Sequence, residues 1–241
     1  MNNKYIFLII LVGLLLIVLL LLFNRVCKKV EKSTKFTYGL DENPDNYIEP
    51  IEIPNLLTEE ECNYIISISR DKLKDATVGG GRTKMNSVRN NKVAWIDVNS
   101  DNPIINKIYD KINKMTGATR DYCESMQIAH YGQNEFYRHH YDQCHDFDTN
   151  NDCKILLEEC GYKPRKYTML IYLNKDYEDG HTDFPNISKK YRPKNIGDAI
   201  LFNSLNNDNT MVHKYSLHSG TDVTKGEKWI ANVWIHTDKI R

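Results

Sequence analysis

His140 and Asp142, in His140-Tyr141-Asp142, can share one face of a strand, because side chains two residues apart point the same way. A second imidazole would complete a set of two histidines and one carboxylate. That set grips one side of a divalent iron and leaves coordination positions open for O2 chemistry. His218 is the partner the sequence offers; His213 lies close by but lacks a lysine at the right distance beyond it. Lys228 follows His218 across a stretch containing Gly220 and Gly226. A lysine fixed at the end of a pocket can pair with the distal carboxylate of a dicarboxylate co-substrate. Beyond it, Lys228, Ile230, Asn232, Trp234 and His236 alternate onto one face, with Lys228 deep and His236 toward the mouth. Singly, each has an ordinary reading as a surface lysine or a core tryptophan; together they describe a reaction chamber.

Such a chamber needs walls. Thr58-Glu59-Glu60-Glu61 is a capping box that starts a helix with Cys62, Ile65 and Ile66 on its apolar face. Asn102 caps a second helix with Pro103 in first position and Ile104, Ile105, Ile108, Tyr109 and Ile112 as its buried stripe. Gly79-Gly80-Gly81 marks a loop and lacks the lysine of a phosphate cradle. From Met126 on, short strand-like runs replace helical spacing: Met126–Tyr131, Tyr167–Leu173, Ala199–Phe202 and Trp229–Ile235. The expected fold is mainly β, a double-stranded β-helix (jelly-roll) core with N-terminal supporting helices. Tyr131 and Tyr137 have the wrong parity for the His140 face, so a bend must separate them from it. His139 is expected to be structural, and His130, His145, His181 and His213 to lie in polar surface or loop positions.

The chain has 241 residues, and its 32 basic and 32 acidic side chains cancel, which excludes the basic field of a nucleic-acid binder. Residues 1–4 precede an unbroken apolar run from Tyr5 to Phe23, long enough to cross a bilayer core of roughly 30 Å as a helix. No small-residue cleavage site follows it, so a retained single-pass membrane anchor is expected rather than a signal peptide. Residues 24–46 read as a juxtamembrane linker and 47–241 as the catalytic domain. Arg25, Lys28, Lys29 and Lys32 after the run favour a cytosolic domain by the positive-inside rule. The six cysteines and the sequon Asn186-Ile187-Ser188 fit an oxidising lumen instead. Cys144, Cys153 and Cys160 crowd one long loop and are expected to staple it, a small zinc site being the alternative.

A further set of residues resembles the prolyl 4-hydroxylase family of 2-oxoglutarate dioxygenases, the collagen-type and plant-type enzymes. It comprises Tyr131, Tyr137-Arg138-His139-His140-Tyr141-Asp142, Arg165 through Asn174, Gly180-His181-Thr182-Asp183-Phe184-Pro185, Gly197-Asp198-Ala199, and Leu217-His218 through Trp234. Coverage runs from about residue 47 to the end. The resemblance implies that His140, Asp142 and His218 bind Fe2+. It implies that Lys228 pairs with 2-oxoglutarate, helped by Tyr131 and Thr168, and that Tyr137, Arg165, Trp234 and His236 line the peptide side. It implies O2 and L-ascorbate as co-reactants and a proline-rich or collagen-like polypeptide as substrate. The catalytic domain would then lie in the endoplasmic reticulum lumen or an equivalent compartment. Two readings stand beside it: a related oxygenase with a non-proline substrate, and a non-catalytic membrane-anchored binding module. One departure is plain, since Asp179 stands where the family usually has the first of two glycines, and His181 follows Gly180.

Overall fold

A computed structural model describes residues 36–78, 87–146 and 163–241. The apolar run Tyr5–Phe23, the loop at Gly79-Gly80-Gly81, and Cys27, Cys153 and Cys160 lie outside the described residues. Among the described residues no helix is long and apolar enough to cross a membrane.

Both helices begin where their caps place them. At the start of α1 (Glu59–Ser69) the Thr58 hydroxyl accepts from the Glu61 amide, and the Glu61 carboxylate accepts from the Thr58 amide at 2.9 Å. Two donors that a helix start leaves unpaired are thereby satisfied. Ahead of α2 (Pro103–Thr116), Asn102 Oδ1 accepts from the Ile104 and Ile105 amides. Ile105, Ile108, Tyr109 and Ile112 are fully buried, as the spacing predicts, while Ile104 of the same stripe is half-buried.

The strands are β1 (Leu40–Asp41), β2 (Ile51–Ile53), β3 (Lys74–Asp75), β4 (Lys92–Ile96), β5 (Met126–Tyr131), β6 (Tyr137–His140), β7 (Arg165–Tyr172) and β8 (Tyr177–Asp179). They continue with β9 (Thr182–Phe184), β10 (Lys189–Tyr191), β11 (Ala199–Asn203), β12 (Val212–His213), β13 (His218–Gly220), β14 (Val223–Gly226) and β15 (Lys228–His236). One large sheet has the order β2-β11-β7-β15-β5-β4-β3, and a smaller one β10-β9-β13-β6. Alternation sorts the central strands between two cores. Met169 and Ile171 of β7 and Trp229, Ala231, Val233 and Ile235 of β15 join the helices in one apolar cluster. Leu170, Tyr172 and Ile230, on the opposite face, pack with Phe184 and Phe202 between the sheets. The result is the expected jelly-roll, with the helices bracing the outside of the large sheet and the inner face free to carry chemistry.

Residues 36–46 belong to this domain rather than to a linker. β1 pairs in parallel with β12, the Thr37 amide donates to Thr210 O, and Asn43 caps a single turn at Pro44–Asn46. A two-residue strand and one turn have no periodicity to read; β12 imposes their order from outside. His213 also departs from its expected polar surface. It is fully buried, its ring stacks on Tyr47 at 4.6 Å, its Nδ1 accepts from the Tyr215 amide, and its Nε2 therefore donates to Asn43 O.

Candidate active site

His140 ends β6 and sits directly opposite His218 at the start of β13. Asp142 follows just beyond the strand. Donor atoms of the three lie within 4.8 Å of one another, the one such group of three among the described residues. Backbone carbonyls fix both imidazoles: His140 Nδ1 donates to Arg138 O at 2.8 Å, and His218 Nδ1 to Ser216 O at 2.9 Å. Each ring therefore turns an unprotonated Nε2 toward Asp142, whose oxygens lie 3.7 Å away in both cases. Burial, with His218 alongside, holds the His140 imidazole well below the usual histidine range and so neutral. Burial alone would raise the Asp142 carboxyl; the two histidines and a hydrogen bond from Thr168 outweigh it and keep the group ionised. Two imidazole nitrogens and a carboxylate facing one point fit a divalent cation. Aromatic rings hold the imidazoles in place. Tyr137 stacks on His140 at 3.5 Å, and Phe184 and Phe202 lie against His218 at 5.4 and 4.8 Å.

The bend required between Tyr137 and His140 is found as a bulge. Tyr137 pairs with Gly220 and His140 with His218, three steps on β6 against two on β13. The extra residue corrects the parity and brings both rings to one side.

Across the cavity, Lys228 opens β15 beside Tyr131 of β5. It is 1% exposed, and among the described residues no carboxylate pairs with it. Its Nζ donates to Gly180 O at 2.7 Å and lies 5.2 Å from the Tyr131 ring centroid. A buried cation without an anion is costly, and the site fits a carboxylate that arrives with a ligand. Just before Lys228, Gly226 lets β14 pass close to the chain entering β8: its φ is +81°, and an added Cβ would fall 2.7 Å from Asp176 O. Asp179 and Gly180 are both left-handed, at φ 58° and 57°. Aspartate enters that region more readily than most residues, which accounts for its standing in a glycine position.

Thr168 goes elsewhere than expected. Its hydroxyl donates to Asp142 Oδ2 at 2.6 Å, and it pairs in register with Trp234, six residues along β15 from Lys228. Thr168 orients the metal carboxylate, while Thr182, bonded to the Tyr172 hydroxyl at 2.9 Å, lines the cavity in its stead.

At the other end Arg165, Trp234 and His236 meet through Glu124, which the sequence reading missed. Arg165 binds both Glu124 oxygens, at 2.5 and 2.8 Å, and its Nη1 donates to Asp142 O at 2.9 Å. His236 Nε2 reaches the same carboxylate at 2.8 Å, and the guanidinium lies 4.0 Å from the Trp234 ring centroid. Burial would raise the Glu124 carboxyl; the Arg165 charge and the His236 hydrogen bond outweigh it and bring the group to about 2. Glu124 is hidden from alternation by a one-residue slip. Cys123 pairs with Ile235 but Gln127 with Asn232, four steps against three. Trp95, 48% exposed, flanks the mouth 6.0 Å from Trp234. Arg89 is a second buried cation here, held by Asn91 at 2.8 Å and Gln127 at 3.2 Å and set over the Tyr137 ring. The triad, Lys228 with Tyr131, and Tyr137, Arg165, Glu124 and Trp234 line one cavity of about 500 Å³, whereas Thr168 and His236 do not; the size suits a small molecule plus part of a chain. Cys144 also lines the cavity and is disulfide-bonded.

Known proteins agree with this geometry. The 2OG-Fe(II) oxygenase superfamily matches residues 126–236. A viral collagen prolyl hydroxylase from Paramecium Bursaria Chlorella virus-1, solved in complex with 2-oxoglutarate, superposes with a TM-score of 0.60 at 26% identity, covering 78% of this chain and 96% of that one. Prolyl 4-hydroxylase 2 of Arabidopsis thaliana is 30% identical over 76% of this chain and 65% of its own length. A prolyl 4-hydroxylase-type protein of Acanthamoeba polyphaga mimivirus is 37% identical over 88% of this chain and 83% of its own. Likeness of that degree across most of both chains places the protein in the prolyl 4-hydroxylase family of iron(II)- and 2-oxoglutarate-dependent oxygenases.

Proposed function

We propose that this domain converts peptidyl proline to 4-hydroxyproline in proline-rich or collagen-like chains, with 2-oxoglutarate decarboxylated to succinate. The observation that carries this reading is one inner face holding, in order, an unpaired buried lysine, the triad opposite, and an aromatic and guanidinium floor at the open end. When bound, iron(II) with 2-oxoglutarate and O2 supplies the oxidising power, one oxygen atom passing to succinate and one to the proline carbon. His140 and His218 would hold the metal through Nε2 and Asp142 through a carboxylate oxygen, with Thr168 keeping that carboxylate turned inward. Lys228 would draw the distal carboxylate to the closed end beside Tyr131. Leu170 and Ile230 exclude water between the two. Tyr137 and Trp234 would form the peptide side. Arg165 ties that side to the metal loop through Asp142 O, and His236 acts through Glu124 rather than from the cavity wall.

The test uses the domain from residue 36 onward, with iron(II), labelled 2-oxoglutarate, ascorbate and a panel of proline-rich and collagen-like peptides. The expected result is peptide-stimulated CO2 release and a mass gain of about 16 Da on proline, the arithmetic of one added oxygen. Decarboxylation with no peptide oxidised would assign a different substrate; no metal binding at all would leave a binding module.

The anchor and compartment extend the reading. A single-pass anchor at Tyr5–Phe23 with the domain in an oxidising lumen is supported by the Cys144 disulfide, since such bonds persist where thiols are not kept reduced. The sequon adds little, because Asn186 Nδ2 already donates to Lys214 O at 2.7 Å. Full-length protein in sealed microsomes should resist added protease until detergent is present; digestion without detergent would put the domain in the cytosol.

A further inference from the structure

Along the inner face of β15 most polar groups are engaged. Lys228 donates to Gly180 O, and His236 is fixed between Glu124 and Lys163 O. Asn232 is one exception. It lines the cavity between Ile230 and Trp234, its Oδ1 is buried, and no group among the described residues hydrogen-bonds that oxygen. Two residues on, the Trp234 Nε1–H is also buried without a partner among the described residues. Across the strand pair, Asn232 faces Gln127, a second amide on the cavity wall. A buried amide oxygen without a partner costs about 1–3 kcal/mol, so the fold alone would favour leucine at this half-buried position. A side chain that weakens the fold and points into a reaction chamber is explained by a ligand that completes it.

Position and chemistry identify the ligand class. Asn232 lies four residues along the strand from Lys228, away from the closed end that would hold the distal carboxylate, and two from Trp234 on the peptide side. An amide both donates and accepts, as a peptide main chain does, whereas a carboxylate asks only for donors. A proline-rich chain in its extended helical form leaves its carbonyls and amides unpaired and needs such partners. We infer that Asn232 is a substrate-recognition residue, whose amide hydrogen-bonds the main chain of the bound polypeptide beside the target proline. This rests on the proposed peptidyl-proline activity.

The test is Asn232→Leu, nearly the same shape and apolar, in the metal-loaded domain with a proline-rich peptide. The peptide KM is expected to rise about tenfold, the loss of one hydrogen bond of roughly 1.4 kcal/mol. Tm should hold or increase, which a purely structural asparagine would not allow. The Kd for 2-oxoglutarate, read by titration, should stay within twofold. Asn232→Ser, which retains a donor and an acceptor at lower volume, should restore part of the peptide KM. An unchanged peptide KM in Asn232→Leu overturns the inference, as does a rise in the 2-oxoglutarate Kd, or a fall in Tm with no specific loss of peptide affinity. If the unaltered protein oxidises no peptide, the failure belongs to the proposed function instead.

Discussion

Asp142→Asn and His218→Ala are expected to abolish iron(II) binding, and with it every turnover of 2-oxoglutarate, with or without peptide. The expectation follows from how few donors the site has. Each imidazole offers only Nε2, because its Nδ1–H is committed to a backbone carbonyl, and Asp142 supplies the sole negative charge among the three. An amide at residue 142 keeps the shape and can still accept from Thr168, but it removes that charge. Partners one layer outside a metal site typically carry about 10–100-fold in affinity, and a ligand itself carries more. His218→Ala also opens space beside Phe184 and Phe202, so its stability needs a separate check. Asp142→Asn leaves packing intact and isolates the charge. Anaerobic titration with iron(II) reads the result. Stoichiometric binding and normal turnover in both variants would move the metal away from this triad.

The parts of the molecule written in local patterns were legible in the sequence. Thr58 and Asn102 announce their helices because a cap is chemistry between neighbours along the chain. The inner face of β15 is readable because a strand alternates strictly, and Lys228, Asn232 and Trp234 do face the cavity. His140, Asp142 and His218 meet as their types require. What stayed hidden was created by tertiary contact. Thr168 and Thr182 are both threonines on strands near the site, and only register tells which one touches Asp142 and which lines the cavity. Glu124 sits beyond a slipped register that reverses its apparent face. Arg165 reads as a ligand for substrate, yet its described hydrogen bonds go to Glu124 and to the Asp142 carbonyl. His213 and the segment at 36–46 are ordered by each other across more than 160 residues of chain.

Lys228 should make 2-oxoglutarate binding depend on pH. Burial first, then the nearby positive charge of Arg192, brings its ammonium down to about 7 in the ligand-free protein. An arriving carboxylate favours the charged form and raises that value again. At pH 6 the lysine is already protonated and binding needs no proton. At pH 8 it is mostly neutral, so each 2-oxoglutarate bound should take up close to one proton, and affinity should fall by up to about tenfold per pH unit. Calorimetry of the metal-loaded domain in buffers of different ionisation enthalpy measures the uptake. Lys228→Arg keeps a charge at all these pH values and should erase it. Lys228→Met should cost on the order of 100-fold in affinity, about 3 kcal/mol for truncating a buried charge pair. Stability should move the opposite way. The unfolded chain holds this proton up to about its ordinary 10.5, so between 7 and 10.5 the unfolded state binds more protons and the ligand-free fold gains stability as pH rises. Below 7 the full penalty of a buried charge remains. Lys228→Met should therefore melt higher than the unaltered protein below pH 7, with the gap closing toward alkaline pH. Proton uptake of zero at pH 8, with affinity flat from 6 to 8.5, would place the distal carboxylate on another group.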